Sequence, residues 1–310
     1  MFQGHYQPHL PADLGFYDLR LPEARAAQAE LAAAYGIHGF CYYYYWFHGR
    51  RLLERPLNEV LASGRPRLPF CVCWANEPWT RAWDGGSENI LVEQTHDADD
   101  DVAFIHSLMP AFRDERYIRV NGKPLLLVYR VGLFPDARRT ADIWREETRR
   151  AGLEAPYLVQ MRTFDDMFDP ATVGFDAATQ FAGHDLPPNA GLKLVKNPTN
   201  FAGVLLDYRI YMEHLLNSAM HDYKVFRCVM PSWDNTPRRG NTAGLFLGGS
   251  PELYGQWLRR AIDYTREQFQ ADERLVFVNA WNEWGEGCHL EPDQRHGRRF
   301  LEETKTALDS

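Results

Sequence analysis

Seven short apolar runs, separated by segments patterned as helices, limit the folds open to this chain more than any other feature. The runs are IHGFCYYYYWF (37–47), LPFCVCWAN (68–76), KPLLLVYR (123–130), PYLVQMRTF (156–164), FDAATQFA (175–182), YKVFRCVMPSW (223–233) and RLVFVNAWNEW (274–284). They are nearly continuous in apolar residues, which is the pattern of parallel strands buried on both faces. The intervening helical segments are 21–36, 56–63, 97–112, 137–152, 204–219 and 251–269, with a terminal one at 296–308. The first has Pro22 near its start and Gly36 at its end, the ordinary punctuation of a helix. The third opens on acids, which a helix dipole favours in its first turn. Alternation of this kind makes a parallel α/β sheet. No linker-like stretch interrupts the 310 residues, so the reading is one domain over 1–310.

An open doubly wound sheet and a (β/α)8 barrel both satisfy that alternation. The strand ends favour the barrel, because polar and aromatic residues gather where each run leaves the core. Those ends carry Tyr44, Tyr45, Trp46 and His48, then Trp74, Asn76, Glu77 and Trp79, then Tyr129 and Arg130, then Arg162. They continue with Gln180, His184 and Asp185, then Trp233, Asp234 and Asn235, and last Trp281, Asn282, Glu283, Trp284 and Glu286. In a barrel this face holds the active site and draws on many strands. Seven strands are readable where eight are needed, so the expected fold is a (β/α)8 TIM-type barrel without its first strand.

Of nine tryptophans only Trp144 and Trp257 fall within helical patterns; the others lie at strand ends. Indole and phenol rings beside carboxylates and amides suit a sugar, which has an apolar C–H face and hydroxyls that need partners. Glycosidic bond cleavage takes two carboxyl groups, and Glu283 and Glu286 in NAWNEWGEGCHLEP offer such a pair. The expected substrate contacts are Tyr45, Trp46, His48, Trp74, Asn76, Glu77, Trp79, Trp83, Asp84, Arg162, Trp233, Asp234, Trp281, Asn282, Trp284 and Glu291. Singly, each is more often core or solvated loop. Their repetition on one sheet face carries the inference to an oligo- or polysaccharide substrate.

A net charge of −8 without a basic run argues against nucleic acid. No apolar run approaches the roughly 18 residues of a membrane span. MFQGHYQPHLP lacks the basic and apolar regions of a signal peptide. Five cysteines, four of them in strand-like runs, argue for buried thiols in a reducing, cytoplasmic setting. His5 and His9 are four apart, but Pro8 breaks the helix that would pair them on a metal, so neither metal nor cofactor is expected. DADDD opens a helix, whereas the Asp-x-Asp of nucleotide-sugar transferases follows a strand. Phosphate-binding glycine motifs and the Gly-x-Ser-x-Gly elbow are absent. Oligomeric state leaves no signature.

GHYQPHLPADLGFYDLRLPE, YGIHGFCYYYYWF, CWANEPWTRAWDG and AWNEWGEGCHLEPD together resemble the WbsX-like domain of bacterial polysaccharide loci, related to glycoside hydrolase family 99, the endo-α-mannosidases. The resemblance runs over essentially the whole chain. It implies a (β/α)8 barrel and a glycan substrate. It also implies that Glu283 deprotonates the sugar 2-hydroxyl, giving a 1,2-anhydro intermediate and retention, and that Glu286 is the general acid/base. Two alternatives stay open: an O-antigen or lipopolysaccharide glycosyltransferase on the same barrel, and a non-catalytic glycan-binding barrel. Relatives carry a strand with a motif like Tyr-Leu-Pro-Gln-Phe-His ahead of the segment at which this chain begins. The strands at 37–47 and 274–284 are therefore expected to show open edges, with partly wet aromatic residues along 40–47.

Overall fold

The computed structural model describes residues 2, 4–81, 86–187, 201–218 and 221–310, with the backbone alone for 86–88. Seven parallel strands form the frame: β1 (Phe40–Phe47), β2 (Phe70–Trp74), β3 (Lys123–Val128), β4 (Tyr157–Arg162), β5 (Ala177–Gln180), β6 (Val225–Val229) and β7 (Val276–Val278). Each pairs with the next in sequence, so order along the chain is order in space. Consecutive order is the strand arrangement of a (β/α) barrel.

The sheet curls without closing. The antiparallel strand Arg50–Leu52 covers the last part of β1, pairing Tyr45 with Leu52 and Phe47 with Arg50, and makes the eighth strand in line. Among the described residues no strand pairs with the outer edge of β7, or with that of β1 over residues 40–44. The expected barrel without its first strand is thus an open, curled half-barrel sheet, with the expected open edges at β1 and β7. Tyr43 on this strand is 41% exposed, and the rings of Phe40 and Trp281 meet across the opening at 5.1 Å.

Helices α1 (Pro22–Ala34), α2 (Arg55–Ser63), α3 (Ala98–Phe112), α4 (Ala137–Arg150), α5 (Tyr208–Asn217), α6 (Pro251–Gln268) and α7 (Arg299–Asp309) complete the frame. Four of them begin on side-chain caps. Asp97, Asp136, Asp207 and Ser250 each accept from a backbone amide of the first turn, a bond typically worth about 1 kcal/mol per cap. The core between sheet and helices is aromatic. Trp74 at the end of β2 lies flat on Phe104 of α3, with ring centroids 3.9 Å apart, and Trp144 of α4 closes on Phe104 at 5.1 Å. All three are fully buried. A second cluster joins Tyr208, Tyr211, Tyr254 and Trp257.

Three expectations are corrected. The segment 204–219 is not one helix: Val204–Asp207 is a strand paired in parallel with Gly244–Leu247, and α5 starts only at Tyr208. The apolar triplet VLL is competent for either structure, and Asp207 fixes the boundary by capping the Ile210 amide at 2.9 Å. The run 274–284 supplies only three residues to the sheet, and Asn282–Glu283 instead pairs antiparallel with Cys288–His289. Cys41 is exposed, because it lies on β1 beside the opening, while the other four thiols are buried; none of the five forms a disulfide. Trp83 and Asp84 lie outside the described residues. Among the described residues no helix is long and apolar enough to cross a membrane.

Candidate active site

The two glutamates stand on a tight reversal after β7. Glu283 ends the short strand Asn282–Glu283, Trp284–Glu286 form one 3-10 turn, and Gly287 takes the left-handed conformation, φ 56°. A side chain at 287 would be strained by that φ. It would also stand 3.0 Å from Asp234 Cβ and 3.1 Å from the Asp234 backbone nitrogen. The close approach lets the loop after β6 hold the loop after β7: Asp234 N donates to Glu286 O at 2.7 Å, and Ser232 Oγ donates to Gly287 O at 2.6 Å.

Arg238, on the short helical turn Thr236–Arg239, binds both acids. Its Nη1 donates to Glu286 Oε1 at 2.7 Å and its Nη2 to Glu283 Oε1 at 2.9 Å. Burial raises the Glu286 carboxyl; the Arg238 charge opposes the rise and the Glu283 charge adds to it, leaving Glu286 at about 7. Burial and the Glu283 charge push the Tyr45 phenol up to about 12. The Tyr129 phenol is raised by burial and then by Glu77 and Glu286. Arg130 Nη1 donates to Glu77 Oε1 at 2.6 Å. The ends of β1, β2, β3, β6 and β7 therefore meet around Glu283 and Glu286.

Several expected contact residues are built in beneath this rim. Trp74 and Asn76 are fully buried. Trp74 fills the core described above, and Asn76 exchanges two hydrogen bonds with the Arg130 backbone, at 2.7 and 2.8 Å. Trp46 is 6% exposed, with its indole N–H donated to Asp100 at 2.8 Å. Glu291, 2% exposed, accepts from Tyr17, Gln28 at 2.7 Å and Trp284 at 2.8 Å. Each is already committed to protein partners, so these four position the rim from below and do not offer a surface to a ligand.

The other candidates are spread along the same end of the sheet. Trp284 stacks on His289 at 3.8 Å, Trp281 meets Phe40, and Asn282 donates to Tyr17 Oη at 3.0 Å. Trp79 packs edge-on against Tyr45 at 5.2 Å, and Trp233 lies over Gly183. Asp234 accepts from Thr236 and pairs with His5 Nε2 at 2.8 Å. Arg162 is 7% exposed and reaches His221 and Tyr223, each at 2.9 Å. His48 sits on the turn after β1, 3.4 Å from Asp97. Arg238 was not among the sequence candidates. It lies in TPRRG, where neither strand pattern nor spacing marks it, and only its nearness to Trp233 and Asp234 in sequence pointed that way.

Comparisons with known proteins show the family and the fold of the chain. The family model described as Glycosyltransferase WbsX matches residues 1–304. The uncharacterized protein WxcX from two strains of Xanthomonas campestris pv. campestris is 44% identical over 310 residues, 99% of this chain and 44% of WxcX. The chain thus spans less than half the length of the curated relatives it matches. Among solved structures, a glycoside hydrolase-like protein is similar with a TM-score of 0.63 at 15% identity, over 97% of this chain and 89% of that one. The GH99 endo-alpha-mannosidase from Bacteroides thetaiotaomicron is similar with a TM-score of 0.62, also at 15% identity, over 99% and 88%.

Proposed function

The chain belongs to the WbsX glycosyltransferase family, a carbohydrate-active group, and from that premise we propose that it is a glycan-cleaving enzyme acting with retention, Glu286 its acid/base and Glu283 its base. The observation that carries the reading is the environment of Glu286: a carboxyl held at about 7 beside a second carboxylate, both on one guanidinium. A carboxyl in that range keeps a proton to donate near neutral pH and takes one back readily.

In the first step Glu286 gives its proton to the glycosidic oxygen as the C1–O bond breaks. Glu283 takes the proton of the sugar 2-hydroxyl, and O2 closes on C1 to give a 1,2-anhydro sugar. In the second step the Glu286 carboxylate takes a proton from water. The resulting hydroxide opens the three-membered ring at C1, and Glu283 returns its proton to O2. Two displacements at C1 give net retention. Tyr45 and Tyr129, held neutral by their raised pKa values, are hydrogen-bond donors on the same rim. The family description favours a second reading, in which a sugar hydroxyl of an acceptor takes the place of water.

A screen of activated α-glycosides and bacterial O-polysaccharides, with the first-formed anomer read by NMR, tests the proposal. Retained products are expected. Inverted products, or binding of nucleotide-sugar donors with no glycoside turnover, would sink it. A 2-deoxy substrate is expected not to turn over; steady hydrolysis through a trapped glycosyl-enzyme would show that a carboxylate attacks C1 directly.

The acid role also fixes a pH dependence. Turnover is expected to fall as pH rises through about 7, where Glu286 loses its proton. The folded chain holds that proton more tightly than the unfolded one, whose glutamate titrates near 4.5. Between these values the folded state binds more protons, so this group's contribution to stability is lost as pH rises across that window. Thermal midpoints of Glu286→Gln should therefore decline less from pH 4.5 to 7 than those of the parent. Parallel declines would contradict the assignment.

A further inference from the structure

We propose that His9, His289 and Asp293 form a site for one divalent transition-metal ion of the zinc class, which fastens the N-terminal segment to the loop carrying Glu283 and Glu286. Each of the three offers one ligand atom, and the three atoms lie within 4.8 Å of one another. His9 Nδ1 is 3.0 Å from His289 Nε2, and His289 Nε2 is 3.9 Å from Asp293 Oδ2. Donors bound to zinc at about 2.0–2.2 Å in tetrahedral array stand about 3.3 Å apart, a spacing that lies between the 3.0 and 3.9 Å separations here. Two imidazoles and a carboxylate with one open position are a common donor set for this class of ion.

The tautomer is suited to the purpose. His289 Nδ1 lies 3.1 Å from the Glu291 carbonyl oxygen. A carbonyl only accepts, so Nδ1 carries the hydrogen and the Nε2 lone pair faces His9. Orientation of a ligating histidine by a backbone carbonyl on its other nitrogen is the usual outer-shell arrangement. Without an ion, the His9 Nδ1 hydrogen is donated to His289 Nε2. With an ion, that hydrogen is on His9 Nε2.

The surrounding backbone fixes the three ligands. Ala12 N donates to Pro292 O at 2.9 Å and Gln294 N to Leu10 O at 2.9 Å, tying the two segments. Asp293 Oδ1 accepts from His296 N at 2.5 Å. His289 is held by its stack on Trp284. His289 and Asp293 are 3% and 4% exposed, while His9 and Asp293 also line a cavity of about 260 Å³ with Tyr6, Arg295 and His296, which gives an ion a way in. Arg295, on the same cavity, is drawn over the Tyr6 ring at 4.4 Å.

The test is a Co²⁺ titration of the untagged, chelator-stripped chain, read by its visible absorption, with EXAFS on the zinc form. One ion per chain in four- or five-coordinate geometry is expected, with two imidazoles in the first shell. His9→Gln and Asp293→Asn should each weaken Co²⁺ binding by more than the roughly 10–100-fold that outer-shell partners contribute. Absence of saturable binding, fewer than two imidazoles on zinc, or undiminished affinity in both variants would overturn the proposal. The EXAFS result stands even where a variant fails to fold.

Discussion

Glu286→Gln is expected to lower turnover of a glycoside with a poor leaving group by about 10²–10⁴-fold, the usual range for a general acid/base. The amide keeps the shape and the hydrogen bond from Arg238 but has no proton to give. A substrate with a very good leaving group needs little protonation, so its first step should be nearly unaffected and the loss should appear in the water step. Steady-state kinetics on an aryl series of graded leaving groups reads this directly. Equal losses across the series would remove Glu286 from the acid role. Arg238 makes the outcome sharper: its guanidinium already opposes the raised pKa of Glu286, so Arg238→Met should move the alkaline limb of the pH profile upward, a shift that a merely structural residue would not cause.

Trp74→Ala should cost about 3–5 kcal/mol, as for a large aromatic removed from a packed core. Trp74 touches Phe104, Phe134, Trp144 and His96 at ring distances between 3.9 and 6.0 Å and also donates its N–H to Trp46 O. Nothing in that set collapses easily into the space left. Urea denaturation measures the loss. A variant with normal stability and a reduced kcat/KM would mean instead that the ring serves as a sugar platform.

The frame was legible because seven runs too apolar for surface strands alternate with helices, and pattern alone conveys that. Pattern could not convey depth. Trp46, Trp74 and Trp79 follow one another at strand ends, yet two are buried and one is half-buried, because Phe104 of helix α3 packs on the first two. The boundary at Tyr208 was obscured because VLL suits strand and helix alike, and the pairing with Gly244–Leu247 that decides it comes from 40 residues downstream. Arg238 and the meeting of His9 with His289, 280 residues apart, are products of loop closure, which leaves no local signal.

The open sheet has a dynamic consequence for the proposed site. β7 is three residues long and, among the described residues, laddered on one side only. Segments with few backbone partners open at the low end of a protein's free-energy scale. The loop bearing Glu283 and Glu286 continues from such a strand, so the alignment of the two carboxylates depends less on strand closure than on cross-chain tethers: Tyr17 and Gln28 on Glu291, Asp234 on Glu286, and Arg238 on both acids. Hydrogen exchange should find the β7 amides opening well before those of β2 to β4. The fraction of molecules with a competent active site would then be set by a local unfolding equilibrium, and any ligand that grips several tethers at once would raise that fraction as it binds.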